Sequence, residues 1–247
     1  MIYRLATLLL APLFIAQGLY VRRVTPKLPE PGGARSGTSG SGPRMSLLIA
    51  GDSAAAGVGV DTQEQALSGR LVITLSSTQE VSWKLLALTG DDSGELVVRL
   101  KSEVKEAFDV VVVSVGVNDV TGRTGYDAWA RNLKNIMDTL KTHFSAQYIF
   151  LSNIPPMHIF PALPQPLRWW LGVRARKLNA IMEKMAKAND RCFFVRTPFP
   201  IDNQYIAADG FHPGEPAYAL WGHHVAKLIQ VAILDQTKTH PQGLTRP

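Results

Sequence analysis

Ser53 lies in Gly51-Asp52-Ser53-Ala54-Ala55-Ala56-Gly57, directly after the apolar run Met45 to Ala50. A serine there is presented at the carboxyl end of a strand, the edge of an open α/β sheet where reacting groups gather. It becomes a nucleophile only with a base to take its proton and donors to hold the resulting oxyanion. Of the six histidines, only His212 follows a carboxylate by three residues, in Asp209-Gly210-Phe211-His212-Pro213. That spacing lets Asp209 receive the Nδ1 proton within one turn and leaves Nε2 free to face a serine. Two candidate oxyanion donors sit just past apolar runs: Gly90 after Val81 to Leu88, and Asn118 in Gly116-Val117-Asn118-Asp119 after Asp109 to Val115. A glycine N–H meets substrate without a side chain in the way, and an asparagine amide is a donor that cannot titrate.

Each block alone has a plain structural reading. Gly-Asp-Ser and Asp-Gly are ordinary turn sequences, and Asn118 or Asp119 suits a helix N-cap. Their conjunction carries the catalytic reading, because all the blocks follow strands or open helices in an order that closes one site. Asp52 and Asp119 are expected to bond nearby backbone. Gly51, Gly57 and Gly59 form a glycine-rich turn, but neither dinucleotide nor phosphate-loop spacing is present. His223 and His224 are adjacent, so on a helix they diverge by about a hundred degrees, and no second ligand pair accompanies them. No metal and no organic cofactor is expected.

These blocks resemble the SGNH hydrolases, the GDSL-type esterases and lipases, whose four motif blocks occur here in order between about Met45 and Leu234. The resemblance implies Ser53 as nucleophile, Asp209 and His212 as its triad partners, and an oxyanion hole of Gly90, Asn118 and the Ser53 N–H. Ala54 replaces the leucine of the namesake motif, and Asp91 with Asp92 puts two carboxylates beside Gly90. The stretch Arg22 to Pro31 also looks like the lead-in of membrane-linked bacterial members.

The +6 formal charge of the 247-residue chain is unevenly spread. Residues 1–44 hold six basic and one acidic side chain, leaving twenty basic and nineteen acidic for the rest. A nearly neutral domain argues against nucleic acid and directs the positive charge at a membrane surface. Leu5 to Val21 is uncharged and flanked by Arg4, Arg22 and Arg23, which suits an uncleaved anchor or a signal peptide cut near Ala16-Gln17-Gly18. By the positive-inside rule the basic flank favours a cytoplasmic catalytic domain, with a periplasmic or secreted one as the alternative. Cys192 is the single cysteine, so there is no intrachain disulfide. The expected organisation is an anchor or signal over 1–23, a Pro/Gly/Ser-rich extended tether over 24–44, a hydrolase domain over 45–235 and a loose tail over 236–247.

Strands are expected at Met45 to Ala50, Val81 to Leu88, Asp109 to Val115, Gln147 to Ser152 and Arg191 to Val195. Helical stripes run through Trp129, Leu133, Ile136 and Leu140, then Leu171 to Met185, then Trp221 to Ala232. The alternation implies a three-layer α/β/α sandwich around a five-stranded parallel sheet, and the family resemblance suggests the flavodoxin-like order 2-1-3-4-5. Ile154 to Gly172 is apolar yet rich in proline. Phe160, Leu163, Trp169 and Trp170 are therefore expected either to line an acyl pocket or rest on lipid, or to cap the core. The function so implied is a serine esterase acting on acyl esters, lysophospholipid or another lipid ester first. A cell-envelope glycan O-acetyl esterase is the enzymatic alternative, and a non-catalytic membrane-tethered binding module the alternative from another class.

Overall fold

The computed structural model describes residues 7–197 and 202–239, the last five by backbone alone. All five expected strands form, at β2 (Arg44–Gly51), β3 (Glu80–Ala87), β4 (Val110–Ser114), β5 (Tyr148–Ser152) and β6 (Cys192–Val195). They are mutually parallel and adjacent in the order β3-β2-β4-β5-β6, which is the expected 2-1-3-4-5. The sheet nevertheless has six strands. β1 (Ser36–Ser39) pairs antiparallel with the outer edge of β3, with Ser36 opposite Lys84 and Ser39 opposite Val81. Its four residues are polar or glycine and all exposed, so no apolar pattern marks them. The segment expected to be an extended tether is thus partly built into the sheet.

Between the parallel strands run α2 (Ser53–Ala56), α3 (Leu67–Leu75), α4 (Ser93–Ser102), α5 (Val117–Thr121), α6 (Tyr126–Thr142) and α7 (Leu167–Lys187), and α8 (Glu215–Thr239) follows β6. Side-chain alternation along the strands sorts the core into two layers. Leu48, Ala50, Val111 and Val113 join Leu96, Trp129, Leu133 and Leu178 on one face. Leu47, Ile49, Val110 and Val112 join Leu71, Trp221 and Val225 on the other. Every residue of β4 and β5 is buried, as both-face coverage of a parallel sheet demands. α8 continues to Thr239, beyond the expected start of a loose tail at Gln236; the rest of that tail and the first residues of the amino-terminal segment lie outside the described residues.

The amino-terminal helix α1 (Ala11–Val24) lies against the start of α7. Phe14 is buried and stacks on Trp170 with ring centroids 5.1 Å apart. The Gln17 side chain donates to the Gln165 carbonyl (2.7 Å) and accepts from the Leu167 N–H (3.1 Å). Thr7 accepts from the Trp170 indole N–H at 2.8 Å. Among the described residues no helix is long and apolar enough to cross a membrane.

Candidate active site

β2 ends where its backbone closes on β4. At Gly51, with φ +153°, a Cβ would lie 1.9 Å from the Ser114 carbonyl oxygen, so only glycine permits the approach. The Asp52 N–H donates to that same carbonyl at 3.0 Å. Asp52 then caps α2, its Oδ1 accepting from the Ala54 N–H at 3.1 Å, and Gly57 ends the helix at φ +95°. This strand–turn–helix corner puts Ser53 on the first residue of α2. Its backbone N–H has no hydrogen-bond partner among the described residues.

His212 arrives on a loop that closes on itself. Ile206 bridges Pro213, the Ala207 N–H donates to the His212 carbonyl (2.8 Å), and Gly210 takes φ +69° at the tip. Asp209 Oδ1 accepts the N–H groups of Phe211 (2.9 Å) and His212 (3.0 Å). Its Oδ2 meets His212 Nδ1 at 2.5 Å, and His212 Nε2 meets Ser53 Oγ at 2.9 Å. Burial pushes the Asp209 carboxyl upward, but the hydrogen bonds from the His212 ring and from two backbone N–H groups outweigh it, and its pKa is lowered. An ionised, fixed Asp209 holds the proton on Nδ1 and leaves Nε2 as acceptor for the serine hydroxyl.

Gly90 and Asn118 lie just past β3 and β4, the two strands that flank β2. The turn after β3 is tied to the Ser53 corner by the Leu88 N–H, which donates to the Gly51 carbonyl at 3.2 Å. Gly90 is exposed at φ +97°, a Cβ there would meet nothing within 4 Å, and its N–H is unpaired among the described residues. Asn118 Nδ2 donates one proton to the Asp91 carbonyl at 2.9 Å, leaving a second. The two carboxylates beside Gly90 have other work. Asp91 is buried and held by Arg99 through two bonds of 2.6 and 3.0 Å, and Asp92 forms a capping box with Glu95 at the start of α4. Asp119 is buried and accepts both N–H and Oγ–H of Ser93, at 3.0 and 2.5 Å. Asp52 is the sharper case: burial drives its pKa up to about 7 against opposing bonds from Ala54 and Gly116, and its Oδ2 has no partner among the described residues.

A cleft open to solvent has Ser53 and His212 on its wall together with Ile154, Ile159, Phe160 and Phe211. Phe160 packs edge-on against Phe211 at 5.1 Å. Of the four loop residues singled out from the sequence, only Phe160 lines this cleft. Leu163 is buried in the core, Trp169 is 37% exposed, and Trp170 is occupied by α1. The apolar loop therefore divides its side chains between the cleft, the core and the docked helix. Sequence reasoning missed Asn153, Tyr205 and Ile206 on the cleft wall. Asn153 was within reach, since it directly follows β5 as Asn118 closely follows β4. Tyr205 and Ile206 arrive only through the Ile206–Pro213 bridge, which leaves no local signal. No group of three or more His, Cys, Asp or Glu suited to a metal occurs among the described residues.

The chain is 25% identical over 252 residues to the GDSL-like esterase Rv1075c of Mycobacterium tuberculosis, covering 90% of this chain and 76% of that protein. Its fold is similar to a carbohydrate esterase family 2 enzyme from Corynascus, with a TM-score of 0.62, 17% identity and coverage of 79% and 68% of the two chains. TesA matches with a TM-score of 0.60, 21% identity and coverage of 75% and 98%. Residues 49–220, well over half of the chain and spanning Ser53 through His212, match the GDSL-like Lipase/Acylhydrolase family, and the protein belongs to that family.

Proposed function

We propose that this protein is a serine esterase in which Ser53 attacks an acyl ester, His212 acts as general base and then acid, and Asp209 orients and charges the imidazole. The observation that carries this is the continuous chain Asp209–His212–Ser53, at 2.5 and 2.9 Å, on the wall of an apolar cleft. As Ser53 Oγ bonds to the carbonyl carbon, its proton passes to His212 Nε2 and the carbonyl oxygen becomes an oxyanion. The N–H groups of Ser53 and Gly90 and the second amide proton of Asn118 are the free donors available to it. Collapse expels the alcohol with the proton from His212, and water activated by the same ring releases the acid.

The cleft's apolar wall supports an acyl chain longer than acetate, with a lysophospholipid or other lipid ester as substrate. α1 supports a membrane surface as the partner. Thr7, Leu10, Phe14, Gln17 and Val21 face the domain, while Leu9, Leu13, Ile15, Leu19 and Tyr20 are exposed and Arg22 and Arg23 follow. This reverses the usual surface helix, whose polar face looks outward. An outward apolar face ending in cations suits anionic headgroups. With its other side bound to α7 and a length of about 21 Å, α1 lies along a bilayer rather than through one of about 30 Å. Sidedness then no longer follows from Arg22 and Arg23, because the positive-inside rule concerns crossing segments.

The test is an assay of the purified chain against acetyl and octanoyl esters, lysophospholipid in anionic vesicles and an acetylated glycan, with a serine-reactive phosphonate to label Ser53. Labelling at Ser53 with preference for the longer chains is the expected result. Labelling with activity on the glycan alone would replace the lipid reading by deacetylation, and absence of both labelling and turnover would leave a binding module.

A further inference from the structure

The segment between α1 and β1 does more than connect them. Glu30 reaches the turn that follows β3: its Oε1 accepts both the Thr89 N–H (2.8 Å) and the Thr89 hydroxyl (2.7 Å). Its Oε2 accepts from Arg35 Nη1 at 2.8 Å. Arg35 in turn donates through Nη2 to the Ala87 carbonyl and receives the Leu85 N–H on its own carbonyl at 2.7 Å. The far side of the same turn is held by Arg99 on the Asp91 carboxylate, by Asn118 on the Asp91 carbonyl and by Gly51 on the Leu88 N–H. Ala87, Leu88, Thr89 and Asp91 are thus all bonded, and Gly90 between them is not. A turn clamped at each neighbour of one free N–H is a pre-organised donor, which costs no reorganisation when charge develops.

The ion pair also explains why a carboxylate is tolerable beside a site that must hold an oxyanion. A lone anion near it would raise the energy of the transition state, and Arg35 cancels that charge locally. Burial pushes the Glu30 carboxyl upward, yet its bonds to Thr89 and Arg35 outweigh this and keep it ionised.

We infer that Glu30 and Arg35 are positioning residues that hold the Gly90 N–H toward the carbonyl oxygen of an ester bound at Ser53. This rests on the esterase reading above. Neither residue touches substrate; both act through the Thr89-Gly90 turn.

The experiment compares Glu30→Ala, Glu30→Gln and Thr89→Val with the full-length wild type on a soluble short ester, measuring kcat, KM, the rate of phosphonate labelling and Tm. Glu30→Ala is expected to lower kcat and the labelling rate together by about tenfold with KM within about twofold, less than the loss of a whole donor. Glu30→Gln, whose amide oxygen still accepts from Thr89, should recover most of that loss. Combining Glu30→Ala with Asn118→Ala should give a smaller total loss than the product of the two, since both serve one oxyanion. A Glu30→Ala protein with lowered Tm and wild-type kcat would overturn the inference, as would equal kcat losses for Gln and Ala. If Glu30→Ala does not fold, Thr89→Val decides, since it removes one of the two Thr89 bonds to Glu30: kcat and labelling unchanged in it would overturn the inference equally. A wild type that neither labels nor turns over would sink the esterase reading itself, a result these variants do not resemble.

Discussion

The His212 loop bonds to Ser53 and the Gly90 turn bonds to Gly51, two residues before it, yet the two are built differently. Asp209 orients His212 from three residues away and accepts the Phe211 and His212 N–H groups, Ala207 bonds His212 and Gly210, and the Gly210 carbonyl also accepts the Ala162 N–H from 48 residues away. The Gly90 turn depends on Glu30 from 59 residues away and on Asn118, which reaches the Asp91 carbonyl across 27. The His212 side is held mainly by bonds within its own loop. The Gly90 side exists only once β1, β3, α4 and α5 have come together, so distant changes should damage it more than they damage the His212 loop.

The largest expected effect breaks the local unit. Ser53→Ala or His212→Ala should lower kcat by several orders of magnitude, and Asp209→Asn by roughly 10⁴-fold, with Tm little changed in each. Steady-state turnover with a thermal melt checks this, and near-wild-type activity in folded Ser53→Ala would remove the mechanism. Next comes the assembled side. Asn118→Ala should cost roughly 10²-fold in kcat if its free proton meets the oxyanion. Lost stability with unchanged turnover would instead make it a brace for Asp91.

Deletions sharpen the contrast. Removing residues 1–26 takes away α1 but keeps Glu30, Arg35 and β1, so turnover of soluble esters should persist while binding to anionic vesicles falls. Removing residues 1–44 also strips the Glu30 clasp and an edge strand, and turnover should fall with it. Equal activity in the two truncations would mean that the long-range side needs no support.

A smaller effect concerns acyl preference. Phe160→Ala should weaken octanoyl ester hydrolysis relative to acetate, by up to about fourfold for each methylene that loses its contact at ~0.8 kcal/mol. Trp170→Ala should leave that ratio unchanged, because its ring packs on Phe14 rather than in the cleft. The ratio of kcat/KM values on the two esters reads both.

The last expected effect is on stability, a separate scale from turnover. Folding raises the Asp52 carboxyl from 3.8 to about 7, so the folded chain holds this proton where the unfolded chain has lost it. Its contribution therefore declines as pH climbs between those two values. Asp52→Asn, which keeps an acceptor for the Ala54 N–H, should gain Tm relative to wild type at pH 8 and little at pH 4. A difference in Tm independent of pH would show that burial does not hold the proton there.

The amino-acid sequence by itself determined the five parallel strands and their covering helices, because two-residue and 3.6-residue periodicities report burial locally. It also determined the Asp209-to-His212 unit, whose geometry is contained in four consecutive residues. Ser53 and Asn118 were legible from their places just past apolar runs. Tertiary structure alone decided the rest. β1 carries no apolar pattern, since its four residues contribute backbone bonds to an edge rather than side chains to a core. Trp169 and Trp170 share with Phe160 the apolar character that marks a pocket, but only packing assigns one ring to the cleft, one to α1 and one to the surface. Glu30 and Arg35 looked like charges on a tether, because a hydrogen bond closed across 59 residues has no period or spacing along the chain to announce it.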